Sequence, residues 1–482
     1  MLDLATLTPA LPEIILALGG MAILMFGAFT QPTDENGELA AWAAIAVMVV
    51  ASAMIVAQPQ AKAILFGTAF IQDSFARFMK LLVLGGSVLA LLMSFDDLRR
   101  TRLLGFELPV LMLLAAVGMM MMISAGDLIA LYVGLELQSF ALYIVAALRR
   151  DQVRSSEAGL KYFMLGALSS GMLLYGASLL YGFAGSISLA AIAEAAKSVP
   201  LAENIGLIVG MVFLLVGLAF KVSAVPFHMW TPDVYEGAPT PISAFFASAV
   251  KLAAMALLVR TVISGFPGVS FQWQQIIVFI SIASMLVGSF GAIGQRNFKR
   301  LMAYSSIGNV GFMLIGLAAN SEPGTESVLI YLAIYLAMTL GTFACILSMR
   351  TSEGSVEDIG SLSGLAHTNL PMAVSLGVLL FSLAGIPPLA GFFAKFYVFA
   401  AAIREHLYAL AVIGVLCSVV SAFYYLRIVK IMFFDEAQGA FLPVERKTGI
   451  VMLAAGVFML AYVLYPSPLL EAATEAARSL QP

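Results

Sequence analysis

The chain has 482 residues, 61% of them apolar and 11% charged, with a net charge of −3. An ordinary soluble domain carries about 45–50% apolar and about 25% charged residues, so a soluble fold of this size would lack the polar residues to cover its outside. A large soluble enzyme is excluded, as are a disordered or collagen-like chain, since Gly and Pro are scattered without a period, and a nucleic-acid binder, since no basic patch exists.

A bilayer-crossing helix needs about 20 apolar residues. Fourteen windows of that kind fall near 12–30, 40–57, 75–94, 106–125, 127–148, 157–183, 204–227, 239–265, 273–294, 298–319, 327–349, 370–402, 406–434 and 448–465. The runs do not alternate as barrel strands would, so an all-α polytopic membrane protein is expected. The first run is flanked by Asp3 and Glu13 rather than by basic residues, which argues against a cleaved signal peptide. Odd-numbered loops hold fourteen Lys and Arg residues, whereas even-numbered loops and the two tails hold only Lys62, Lys197, Arg404 and Arg478. By the positive-inside rule the odd loops face the cytoplasm and both termini lie on the outer side of the membrane. Cys345 and Cys417 sit far apart inside apolar runs, without metal or redox spacing, and are expected to pack in the core.

Charged residues inside the windows are the informative exceptions. Arg77, Lys80 and Arg260 lie within a turn or two of predicted helix ends and are expected to snorkel to the headgroups. The same structural reading covers Glu107, Asp127 and Glu157. Glu136, Lys221 and Lys251 lie deeper, and each costs about 2.5–3.5 kcal/mol at a helix centre. The three together cost roughly 8–10 kcal/mol, comparable to the stability of a whole domain, which points to function. Lys161 lies near a predicted helix end, and Lys395 is the remaining lysine within a window. Tyr132, Glu136, Ser139 and Tyr143 recur at helical spacing and line one face of the fifth predicted helix. Gly206, Gly210, Gly217 and Lys221 share a face of the seventh, where small residues admit a neighbouring helix.

Two predicted helices are interrupted. Pro226 follows Lys221 by five residues, and Pro387-Pro388 precedes Lys395 within Gly385–Gly391. Proline removes a backbone donor and clashes with the preceding turn, and broken helices beside charged residues are a feature of transport sites. The broken helices are the seventh and the twelfth. Their odd offset implies opposite directions across the membrane, hence two inverted five-helix repeats, helices 4–8 and 9–13. The corresponding division is 1–104 for three N-terminal helices, 105–272 for the first repeat, 273–434 for the second, and 435–482 for the last helix and tail.

No phosphate-binding G-x-x-x-x-G-K-[ST] run occurs. His228, His367 and His406 lie in or beside loops, which does not suit a membrane haem, and the loops are too short for a dinucleotide-binding βαβ unit. Electron transfer must therefore take place elsewhere.

The stretch 219–241, AFKVSAVPFHMWTPDVYEGAPTP, resembles the seventh-to-eighth helix segment of the subunit N family of bacterial NADH:quinone oxidoreductase, respiratory complex I. The stretch 382–397, SLAGIPPLAGFFAKFY, is similar to that family's broken twelfth helix, and the likeness extends over essentially the whole chain. The wider family comprises the antiporter-like subunits of complex I and the related multisubunit Na⁺/H⁺ antiporters. The chain ends soon after its fourteenth predicted helix, without the long lateral helix of the largest antiporter-like subunit. The resemblance implies that Glu136 and Lys221 form a proton-coupling pair, with Lys251 as relay, Lys395 leading to the outer side, and Lys161 and His228 in supporting roles. It also implies no cofactor on this chain, with NAD, FMN, iron–sulfur clusters and quinone in partner subunits, and other complex I membrane subunits and the lipid of a bacterial cytoplasmic membrane as neighbours. Where many relatives carry His, this chain has Asn309, which cannot titrate.

The expected function is redox-driven proton translocation. Desolvation disfavours an ammonium and a nearby carboxylate favours it. A lysine whose proton affinity changes about a thousandfold as the carboxylate approaches and withdraws supplies about 4 kcal/mol. Moving one charge against roughly 150–200 mV takes about 3.5–4.6 kcal/mol. Three alternatives remain at this point: a subunit of a Na⁺/H⁺ antiporter, a passive membrane scaffold, and a quinone-binding chain using Met-rich grooves such as Met119–Met122.

Overall fold

A computed structural model describes residues 4–31, 33–198 and 205–481; Asp3 lies outside them. After a 3₁₀ turn at Leu4–Ala10 come α1 (Leu11–Phe29) and α2 (Asp34–Ala57), then a hairpin of β1 (Ala63–Leu65) and β2 (Phe70–Gln72), then α3 (Ser74–Arg100). There follow α4 (Glu107–Ile123), α5 (Leu128–Ala146), α6 (Val153–Ala184), the short α7 (Leu189–Ser198), and α8 (Ile205–Val222) with α9 (Trp230–Gly237). Next are α10 (Thr240–Phe245), a π-helical turn at Phe246–Val250, α11 (Lys251–Gly265), α12 (Ser270–Ile293), α13 (Phe298–Ala318) and α14 (Glu322–Ser348). A small hairpin, β3 (Arg350–Thr351) with β4 (Gly354–Ser355), precedes α15 (Leu365–Thr368), α16 (Leu370–Ala384), α17 (Ala390–Arg404), α18 (Tyr408–Phe434), α19 (Arg446–Leu464) and α20 (Ser467–Leu480).

Twelve of these helical stretches are long and apolar enough to cross a membrane. The windows at 106–125 and 370–402 carry the shorter apolar helices α4 and α16, the latter continued by α17 after a break. The fold is the expected all-α membrane architecture, and the hairpins are confined to connections. Two amphipathic segments fall outside the fourteen windows. One is α7; the other is α20, which packs Ala473, Ala476, Ala477 and Leu480 against α3 and α14. Ser74 and Arg478 hold α20 in place by bonds to Glu475 and Glu322.

The interior of the bundle is formed by α10 and α11, α13 and α14. Their apolar windows are almost wholly buried, whereas α1, α2, α6, α18 and α19 keep one face turned outward. With lipid as solvent, outward Leu, Phe and Val need no polar cover, so helix contact rests on packing and small residues. Helices α12 and α13 pack closely, and a Cβ on Gly288 would lie 2.3 Å from the backbone nitrogen of Gly308. Gly210 and Gly217 on α8 meet Leu180 and Leu173 of α6 in the same way. Met119, Met120 and Met122 are packed inside α4, and both cysteines are buried and free.

Candidate functional site

Both predicted interruptions are present. The first, between α8 and α9, passes through Ser223 at φ +64° and a cis Val225–Pro226 bond. The backbone groups freed there find partners: Val225 N–H donates to Ser284 Oγ at 2.9 Å, and the Trp230 indole N–H donates to the Phe220 carbonyl at 3.0 Å. Trp230 is held in turn by stacking on Tyr162, with ring centroids 4.5 Å apart. The second interruption, between α16 and α17, starts at Gly385, whose φ of +85° suits a residue without Cβ, and contains the cis Pro387–Pro388 bond. Ser382 Oγ receives the Gly391 N–H at 3.0 Å. Pro226, Pro387 and Pro388 themselves are exposed on the bundle surface. They shape the breaks without entering the polar interior.

A lysine lies at each break. Lys221, 8% exposed, is in the last turn of α8 and donates to Ser139 Oγ at 2.7 Å and Tyr143 Oη at 3.4 Å, both on α5. Glu136 is half-buried on the same helix, with its Oε1 shielded and without a hydrogen-bond partner. Glu136 and Lys221 are thus neighbours that form no ion pair; the lysine is held by hydroxyls and the carboxylate is left open. Lys395, 5% exposed, donates to the Ala384 carbonyl at 3.0 Å and to Ser418 Oγ on α18 at 2.9 Å. Ala384 ends α16, so the ammonium meets the negative end of a helix dipole. Its other face is the Phe312 ring, 4.8 Å from Nζ to centroid.

Lys251, 1% exposed, stands where the π-helical turn meets α11, an irregularity often found at functional positions. It donates to Ser306 on α13, which also accepts from Tyr335 Oη at 2.9 Å. The neighbouring Ser305 contacts Tyr425 Oη at 2.5 Å. On α18, Ser418, Ser421 and Tyr425 fall three and four positions apart and so share one face. A band of hydroxyls therefore runs from Lys251 across α13 to α18 and ends at Lys395. Asn309 is absorbed into this band, donating to the Ser305 carbonyl at 2.8 Å and accepting from Tyr331 at 2.7 Å. The sequence reading identified the lysines but not these hydroxyls. The available signal was the i, i+4 spacing of Tyr331 and Tyr335 and the Ser305-Ser306 pair in an otherwise apolar helix.

Lys161 and His228 are not drawn into the row. Lys161 is partly exposed and pairs with Glu157 at 2.6 Å and Asp233 at 2.7 Å. Arg300 closes that network through Asp233 and Glu236. His228 is half-buried within the first break, with Nδ1 shielded and unpartnered.

The snorkelling expectation fails for Lys80 and Arg260. Lys80 is fully buried and pairs with Glu13 at 2.5 Å and with Gln72 at 2.7 Å. Arg260 is 2% exposed and pairs with Asp73 at 2.7 Å. Asp73 simultaneously caps α3 through Ala76 N–H. Ion pairs made inside the bundle replace the headgroups as partners, because the hairpin, α1, α3 and α11 close over these side chains. Arg77 is also only half-exposed, with two guanidinium nitrogens shielded and unpartnered. Asp127 is buried too, as the N-cap of α5. Among the described residues, no cluster of three or more His, Cys, Asp and Glu could hold a metal ion.

Many apolar helices, two of them broken beside a buried lysine, define a polytopic membrane protein of the antiporter-like type. Residues 125–421 match the family described as NADH:quinone oxidoreductase/Mrp antiporter, TM. NADH-quinone oxidoreductase subunit N of Methylobacterium nodulans is 58% identical, covering 98% of each chain, and subunit N 1 of Rhizobium meliloti is 56% identical over 99% of this chain and 98% of that one. Among solved structures, a chain of respiratory complex I from Thermus thermophilus with bound aureothin aligns at 33% identity and TM-score 0.82, covering 95% of this chain and 98% of the other. A chain of the Mrp complex from Dietzia sp. shares the fold, with TM-score 0.86 at 23% identity over 98% and 97% of the two chains. The chain belongs to this family, within the subunit N group of NADH:quinone oxidoreductase.

Proposed function

We propose that the chain is a proton-translocating membrane subunit of an NADH:quinone oxidoreductase, carrying protons through Glu136, Lys221, Lys251 and Lys395. The observation that carries the reading is the row itself. Three ammonium groups lie nearly out of reach of solvent, each held by hydroxyl or carbonyl oxygen and none by a carboxylate. Hydroxyl partners accept from an ammonium and donate to a neutral amine, so they accommodate both protonation states. A carboxylate clasp would favour only the charged one.

Glu136 supplies the moving charge. Its approach to Lys221 stabilises the ammonium there, and its withdrawal releases the proton towards Lys251. The hydroxyl band on α13 and α18 then leads to Lys395. Lys161 sits at the entry side, tied to Asp233, and His228 lines the break. The arginine-rich loops face the cytoplasm and both termini lie outside. Residues 105–272 and 273–434 form inverted repeats between the N-terminal helices and the last one. Redox chemistry belongs to the partner subunits that hold NAD, FMN, iron–sulfur clusters and quinone.

Inside-out vesicles containing the assembled complex test this reading. NADH oxidation should drive proton uptake that persists when Na⁺ is omitted. Na⁺/H⁺ exchange independent of NADH, with no NADH-driven uptake, would instead place the chain in a Na⁺/H⁺ antiporter.

A further inference from the structure

A cavity of about 650 Å³ opens at the arginine-rich end of the bundle, between the α1–α2 turn, the α3–α4 connection and the end of α5. Four charged side chains line it: Arg102, Arg150, Asp34 and Glu107. All four are exposed, and among the described residues no ion pair joins any of them to another group. Two cations and two anions thus line one cavity without pairing with each other. A gap that keeps them apart suits a guest carrying both signs.

The cavity continues into an apolar furrow. Helices α1 and α5 both pack on α4, which lies between them. The half-buried Leu111 and Leu114 of α4 form the floor, and the exposed Ile144 and Phe140 of α5 form one wall. Leu111 and Ile144 also line the cavity, so the polar mouth and the apolar furrow are continuous. Basic pockets between membrane helices bind lipid headgroups. Here the added carboxylates select further.

The structure assigns this cavity to a zwitterionic phospholipid with a primary ammonium, of the phosphatidylethanolamine type. Its phosphate sits against the Arg102 and Arg150 guanidinium groups, which offer forked N–H donors. Its ammonium donates to the Asp34 and Glu107 carboxylates, and its acyl chains lie along the α4 furrow. A glycerol headgroup brings no cation to the carboxylates. A choline headgroup brings a cation without N–H donors.

The test uses the assembled complex in nanodiscs holding equal parts of photoactivatable phosphatidylethanolamine, phosphatidylglycerol and phosphatidylcholine, with cross-links mapped by peptide mass spectrometry. Phosphatidylethanolamine should label peptides spanning 102–111 and 144–150 about tenfold more than either other lipid, as expected for charge-assisted hydrogen bonds. Arg102→Gln with Arg150→Gln should lower that labelling about tenfold. Asp34→Asn with Glu107→Gln should retain phosphate binding but abolish the preference over phosphatidylglycerol. NADH oxidation by the assembled variants, unchanged from wild type, shows that the fold is intact. Equal labelling by the three lipids, preference for phosphatidylglycerol in the wild type, or cross-linking of these peptides to a neighbouring subunit in place of lipid would each overturn the assignment.

Discussion

Replacing Lys221 by alanine is expected to reduce NADH-driven proton uptake by inside-out vesicles to background while the complex still assembles. The ammonium is held by Ser139 and Tyr143 at the end of α8, with the open carboxylate of Glu136 on the same facing helix. On the proposed mechanism, alanine removes the amine that takes up a proton beside Glu136 and passes it on, and leaves the carboxylate without its partner. Lys221→Arg is expected to fail as well, although it restores the charge, because guanidinium does not release its proton. The arginine variant separates the two roles a buried cation can have: a structural cation tolerates it, and a proton carrier does not. Normal pumping by either variant, measured beside NADH oxidation in the same vesicles, would remove Lys221 from the path.

The second large effect concerns stability. Arg260→Met leaves the Asp73 carboxylate buried without its partner, and breaking a buried pair in this way costs about 3–5 kcal/mol. The result expected is a clear fall in the thermal stability and yield of the assembled complex. Adding Asp73→Asn to Arg260→Met should recover most of the loss, because the amide still offers an oxygen to the Ala76 N–H and carries no charge. The comparison distinguishes a buried charge from lost packing. If the double variant is as unstable as the single one, the methionine itself is at fault and the pair is not what holds α3 to α11.

The features legible in the sequence were those with local causes. Pro226 and Pro387-Pro388 announce the two breaks because proline acts on its own turn, and Lys221, Lys251 and Lys395 stand out because each is a charge in a long apolar run. The outer pairs could not be read in the same way. Glu13, Asp73, Lys80 and Arg260 look like helix-end charges until α1, the hairpin, α3 and α11 come together, and nothing within one helix signals that Arg260 will meet Asp73, far away in the chain. The hydroxyl band was missed for a different reason. Serine in membrane helices commonly bonds back to its own helix backbone, as Ser248 and Ser348 do here, so Ser305 and Ser306 gain significance only from the neighbours they reach. Helix α20 escaped because its apolar face is mostly alanine, too weak a pattern for a membrane window yet well suited to close packing.

Protons that pass along the row cross at α11, where Lys251 is the titratable residue. The most direct measurement is the number of protons taken up per NADH oxidised in inside-out vesicles carrying Lys251→Met, a substitution of similar length that keeps the apolar packing. The row predicts a lowered ratio in a complex that still assembles and still transfers electrons from NADH to an artificial acceptor. An unchanged ratio would mean that protons do not pass between Lys221 and Lys395 through this chain.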